Sequence, residues 1–125
     1  MRVLLIEDDD AVRKVVRMML ERDGHDVTEA GNGRLGLEQL KASAFDLVIT
    51  DIIMPDMEGV ETVMAVRQQY PAVKIIAMSG GDRTGNMDSL SAAEKLGASA
   101  TLRKPFTRSA LTAALDRTLG AQKIS

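Results

Sequence analysis

The sequence predicts an α/β fold: a five-stranded, doubly wound parallel sheet in the order 2-1-3-4-5. Three observations predict it. Short apolar runs alternate five times with longer segments of helical period. The runs Val3-Leu4-Leu5-Ile6 and Leu47-Val48-Ile49 are continuous and largely branched, as strands buried on both faces are. Strands alternating with helices also require parallel pairing, because each return crossover lays a helix on a sheet face.

The elements follow in order. After the first strand, Val12, Val15, Val16, Met19 and Leu20 recur at helical spacing, with Asp10 as the expected N-cap and Gly24 as the stop. His25 to Ala30 reads as a shorter, more polar strand. Asn32 caps a second helix to about Ser43, with Leu37 and Leu40 facing inward. The third strand, Leu47 to Thr50, ends at Asp51. A loop with Pro55 and Gly59 leads into a helix with the stripe Val60, Val63, Met64 and Arg67, the last through its aliphatic stem. Val73 to Met78 forms the fourth strand and ends at Ser79. A glycine-rich loop, Gly80 to Asn86, precedes a fourth helical segment carrying Leu90, Ala93 and Leu96, which Gly97 stops. Ser99 to Arg103 is the fifth strand and leads to Lys104-Pro105. Thr107 caps the last helix, whose stripe is Leu111, Ala114, Leu115, Thr118 and Leu119.

Composition narrows the function classes. The 125 residues, 45% apolar and 27% charged, suit one globular domain, and no second composition zone or linker interrupts them. Residues 1–125 therefore read as a single domain, with no output domain attached. A net charge of −2 gives no global attraction for nucleic acid or an acidic membrane. No apolar run approaches the ~20 residues of a membrane span. The N-terminus turns acidic too soon for a signal peptide, so a cytoplasmic location is expected. The absence of cysteine excludes disulfides, thiolate metal sites and cysteine nucleophiles.

In an open α/β sheet the working site lies at the carboxyl ends of the strands, near the switch between strands 1 and 3. Those ends carry Glu7, Asp8 and Asp9 after strand 1, Asp51 after strand 3, Ser79 after strand 4 and Lys104 after strand 5. Carboxylates gathered in one pocket repel one another unless a cation intervenes. A hard divalent ion with oxygen ligands fits, and Mg²⁺ suits a site with few carboxylates. Zinc is poorly served, because the single histidine, His25, starts strand 2 at the other edge of the sheet. With Mg²⁺ and Lys104 beside them, the acids could receive a phosphoryl group, with Asp51 as nucleophile forming an acyl phosphate. Ser79 would donate a hydrogen bond to a phosphoryl oxygen, and Lys104 would supply a point charge.

The segments Val3 to Asp9, Asp46 to Gly59, Ile75 to Ser79, Gly97-Ala98 and Lys104-Pro105-Phe106 together resemble the receiver domain of bacterial two-component response regulators, over essentially the whole chain. That resemblance implies a flavodoxin-like (βα)5 fold and a phosphorylation switch rather than an enzyme. It implies Mg²⁺ held by Asp8 directly, by Glu7 through water, by Asp51 and by the backbone carbonyl of Ile53. Asp51 becomes the phosphoacceptor, Ser79 the hydroxyl switch residue and Lys104 the lysine joined by a cis bond to Pro105. The implied partners are a sensor histidine kinase or histidine phosphotransfer protein, which supplies a phosphohistidine. A downstream protein would be met through the face of the fourth helical segment, fifth strand and last helix.

Thr101, three residues before Lys104, departs from the tyrosine or phenylalanine common in that family, which moves the expected switch to the loop from Gly80 to Asp88. Three other readings compete, one of them a phosphorylation-independent interaction module that keeps only the fold, against which the intact acid set argues. Asp8-Asp9-Asp10 has the Asp-x-Asp spacing of aspartyl phosphatases, but that reading leaves Asp51 idle. An FMN carrier shares the sheet order, yet needs hydroxyls and flanking aromatics where this chain has acids.

Overall fold

The computed structural model describes residues 1–52, 59–79, 97–103 and 106–119. Five strands, β1 (Arg2–Ile6), β2 (Asp26–Ala30), β3 (Leu47–Asp51), β4 (Lys74–Ser79) and β5 (Ala100–Arg103), form one sheet in the order β2-β1-β3-β4-β5. Every pairing is parallel, with Val3 opposite both Val27 and Leu47, Asp51 opposite Met78, and Ser79 opposite Arg103. The predicted topology is the observed one.

Side-chain alternation along the strands divides the core in two. Leu4, Ile6, Val48, Ile75 and Ala77 pack with Leu40 of α2 (Gly33–Ala42) and with Val63 and Val66 of α3 (Gly59–Gln69). Val3, Leu5, Leu47, Ile49, Ile76 and Met78 face the other way. They meet Val16 and Leu20 of α1 (Asp10–Arg22) and Leu111, Ala114 and Leu115 of the last helix (Arg108–Leu119). Each fully buried Leu or Ile is worth roughly 1.5–3 kcal/mol over an exposed one. The two layers therefore clamp the central strands and leave the strand ends as the place for polar chemistry. Strand β2, at the sheet edge, is half-buried from Val27 to Glu29 and buried only at Ala30, which accounts for its polar reading.

Several local expectations shift. Asp9, not Asp10, is the N-cap of α1: its carboxylate accepts from the backbone N–H of Ala11 at 2.9 Å and Val12 at 3.2 Å. Asp10 instead sits in the first turn, where an acid complements the helix dipole. At the other end Asp23 is the C-cap, followed by Gly24 at φ +90, a conformation that favours glycine. Asn32 caps α2 and Thr107 accepts from Ala110 N–H at 3.1 Å, both as expected. Val15 (51% exposed) and Met64 (49%) face solvent, although each is expected in a packed stripe. In α3 the inward face is Thr62, Val63 and Val66, and Arg67 works through its head group, donating to the carbonyls of Pro71 at 2.6 Å and Gly97 at 3.0 Å. The predicted fourth helical segment and the glycine-rich loop lie outside the described residues.

Candidate functional site

The site is built where β1 and β3 run out of apolar sequence. Ile6 pairs with Thr50, so Glu7 and Asp51 each stand one residue beyond the same rung of adjacent strands. Both are buried, Glu7 at 0% and Asp51 at 5% exposure, while Asp8 is exposed. One carboxylate oxygen from each of Glu7, Asp8 and Asp51 can be chosen so that all lie within 4.8 Å of one another. Ser79 is buried at the end of β4, one residue past Met78, the partner of Asp51. The fold thus gathers Glu7, Asp8, Asp51 and Ser79 at one end of the sheet. Ile53 and Lys104 lie outside the described residues.

The backbone around the acids is tightly bonded. Glu7 N–H donates to the Ala30 carbonyl at 3.0 Å, and Asp9 N–H donates to Glu7 Oε2 at 3.1 Å. Ile52 N–H donates to the Met78 carbonyl at 3.0 Å, which extends the β3–β4 ladder past Asp51. Thr50 Oγ1 donates to the Asp51 carbonyl at 3.0 Å. The donor set fits a hard divalent ion: all three ligand atoms are carboxylate oxygens, and the exposed Asp8 side keeps the site open to water.

The sequence reading missed Arg13. This residue donates to the Glu7 carbonyl at 2.8 Å, to Asp10 at 2.6 Å and to Glu29 of β2 at 3.1 Å. Burial opposes its charge, but the bonds to Asp10 and Glu29 hold the guanidinium above its ordinary range. The available signal was Asp9-Arg13-Arg17 at four-residue spacing, a polar stripe beside the apolar one, facing the acid of the neighbouring strand. Asp10, the second acid of the phosphatase reading, is paired with Arg13 at 2.6 Å. His25 sits before β2, at the opposite end of the sheet from the acids, with Nδ1 3.4 Å from the Met1 ammonium.

The profile of the response regulator receiver domain matches residues 3–116. The chain belongs to that family. It is 38% identical over 79 residues to the response regulator receiver protein CpdR of Brucella abortus, a match covering 63% of this chain and 66% of that one. It is 33% identical over 119 residues to the DNA-binding transcriptional regulator NtrC of Azospirillum brasilense, covering 95% of this chain but 24% of NtrC. The chain thus spans 24% to 66% of the length of these relatives. Among solved structures, it resembles the CheY-like receiver domain protein of Methanospirillum hungatei JF-1, at TM-score 0.88 and 28% identity, over 98% of this chain and 95% of the other. Chemotaxis protein CheY4 of Vibrio cholerae matches at TM-score 0.85 and 32% identity, over 94% and 98%. The receiver domain is a signalling fold of two-component systems, and its family interacts with histidine kinases. Among the described residues, no helix of this receiver domain is long and apolar enough to cross a membrane.

Proposed function

We propose that this receiver domain is a phosphorylation switch in which Asp51 accepts a phosphoryl group from the phosphohistidine of a histidine kinase or a histidine phosphotransfer protein. The observation that carries the reading is the convergence of Glu7, Asp8 and Asp51 within 4.8 Å, with Asp51 buried at the end of a central strand. A carboxylate oxygen of Asp51 attacks the phosphorus, the new O–P bond forms, and the N–P bond breaks with its electron pair returning to the donor imidazole. Glu7, Asp8, Asp51 and the Ile53 carbonyl would hold Mg²⁺. When bound, that ion supplies the positive charge that lets phosphoryl oxygens approach an acidic pocket. Ser79 donates its hydroxyl to a phosphoryl oxygen, and Lys104 adds a second positive charge. The output is a change in what the domain docks to, through the face of the fourth helical segment, fifth strand and last helix, or onward passage of the phosphate.

Intact mass after incubation with a small phosphodonor tests this, with and without Mg²⁺, beside Asp51→Asn. A labile phosphoryl adduct that requires both Mg²⁺ and Asp51 is expected. A folded protein that forms no adduct, or an adduct that survives Asp51→Asn, overturns the reading.

A further inference from the structure

We propose that Arg13 is a positioning residue for the acidic site: its guanidinium fixes the Glu7–Asp8 peptide and so aims the Asp8 carboxylate at its two buried neighbours. This rests on the reading that Glu7, Asp8 and Asp51 hold a divalent ion.

Asp8 is the exposed member of the trio, so the backbone on either side must fix its direction. On its C-terminal side Asp9 is pinned twice, its carboxylate capping α1 and its N–H bonded to Glu7 Oε2. On its N-terminal side the Glu7 N–H is bonded to Ala30. That leaves the Glu7 carbonyl, the oxygen of the peptide that leads into Asp8, and Arg13 Nη1 donates to it at 2.8 Å. Without that donor, rotation of the peptide would swing Asp8 while leaving Glu7 and Asp51 in place.

The donor is itself held. Arg13 Nη2 reaches Asp10 at 2.6 Å and Nε reaches Glu29 Oε1 at 3.1 Å. Glu29 is fixed from its other oxygen by Arg17 at 2.8 Å. All three guanidinium nitrogens are thus spent on acceptors in three places: the end of β1, the first turn of α1 and the edge strand β2. The side chain is only 19% exposed. A planar fork can span such a set. A lysine ammonium, one compact donor centre on a flexible stem, cannot. Outer residues that orient metal ligands typically change affinity by about 10–100-fold when removed.

The test is Mg²⁺ titration by calorimetry of the parent, Arg13→Lys, Arg13→Ala and Asp51→Asn, with urea stability measured on each. Amide NMR of Asp8 and Asp9 in the metal-free proteins adds a readout that needs no activity. The expected result is Mg²⁺ binding weakened about tenfold or more in both Arg13 variants, the lysine included, with shifted Asp8 and Asp9 amides. Parent-like affinity and unchanged amides in folded Arg13→Lys would reduce Arg13 to a surface tie and overturn the proposal. Should neither Arg13 variant fold, Glu29→Gln loosens the fork while keeping Arg13: weaker Mg²⁺ binding supports the proposal, and parent affinity overturns it. A parent that binds no Mg²⁺ through Asp51 removes the ion-site reading and this inference together. Binding in the parent that Arg13→Lys leaves intact removes this inference alone.

Discussion

Gly36 in α2 lies against Ile6, the last residue of β1 before the acids, and offers a direct test of how packing supports the site. A Cβ at Gly36 would come within 2.4 Å of Ile6 Cδ1 and 2.8 Å of Cγ1, with Ala30 Cβ at 3.9 Å. Ile6 is fully buried and β-branched, so it cannot simply rotate aside. Gly36→Ala should gain about 1 kcal/mol of helix propensity and lose about 1–3 kcal/mol to overpacking. The net expectation is a loss near 1 kcal/mol, or about 3–5 °C in Tm for a domain of this size. Ile6→Val, which removes the closer carbon, should cost about 0.5–1.5 kcal/mol alone. The double variant should be more stable than the sum of the singles by about 1 kcal/mol. Urea denaturation followed by circular dichroism measures all four proteins on one scale. Because Ile6 leads straight into Glu7, Mg²⁺ affinity should fall in Gly36→Ala and recover in the double variant. A Gly36→Ala protein as stable as the parent, or strict additivity in the cycle, would refute the packing argument.

Two further outcomes test local physics. Burial of His25, reinforced by the Met1 ammonium and only partly opposed by Asp23, lowers its pKa from the ordinary 6.5. The folded state therefore binds fewer protons than the unfolded chain, so the His25 contribution is complete above pH 6.5 and is lost as pH falls through the lower folded value. His25→Gln should flatten stability between about pH 7 and pH 5, and an unchanged pH slope would count against this. Asp9→Ala should cost about 1 kcal/mol in a thermal melt, and Asp10→Ala clearly less. The reverse ranking would return the cap to Asp10.

The acidic trio was legible because burial on both sheet faces makes the first polar residue after each apolar run conspicuous, and parallel topology sends those residues to one end. The misplaced features share a different cause. Asp9 and Asp10 are chemically identical candidates for the cap, and only the geometry of the turn out of β1 chooses between them. Val15 and Met64 fit helical spacing, but a sheet covers only part of a helix circumference, and an exposed apolar side chain is ordinary. Arg13 was missed for a third reason. Its partners are Glu7, just past β1, and Glu29 of β2, and their closeness to α1 depends on the register that pairs β1 with β2. The four-residue spacing of Arg13 and Arg17 puts them on one helix face, but it does not say which strand ends that face meets.

The same topology separates what holds the fold from what would perform the switch. Both core layers lie on the sheet faces, whereas Glu7 and Asp51 are carboxylates buried at its end, a placement that costs stability unless each charge is paired. Hydrophobic contact does not need an acid at either position. The apolar rungs below them, Leu5 opposite Ile49 and Ile49 opposite Ile76, are buried whatever residue ends each strand. An isosteric amide at Asp51 should therefore leave the sheet intact. Loss of phosphoryl acceptance in that variant would report on chemistry at the oxygen rather than on a collapsed strand end.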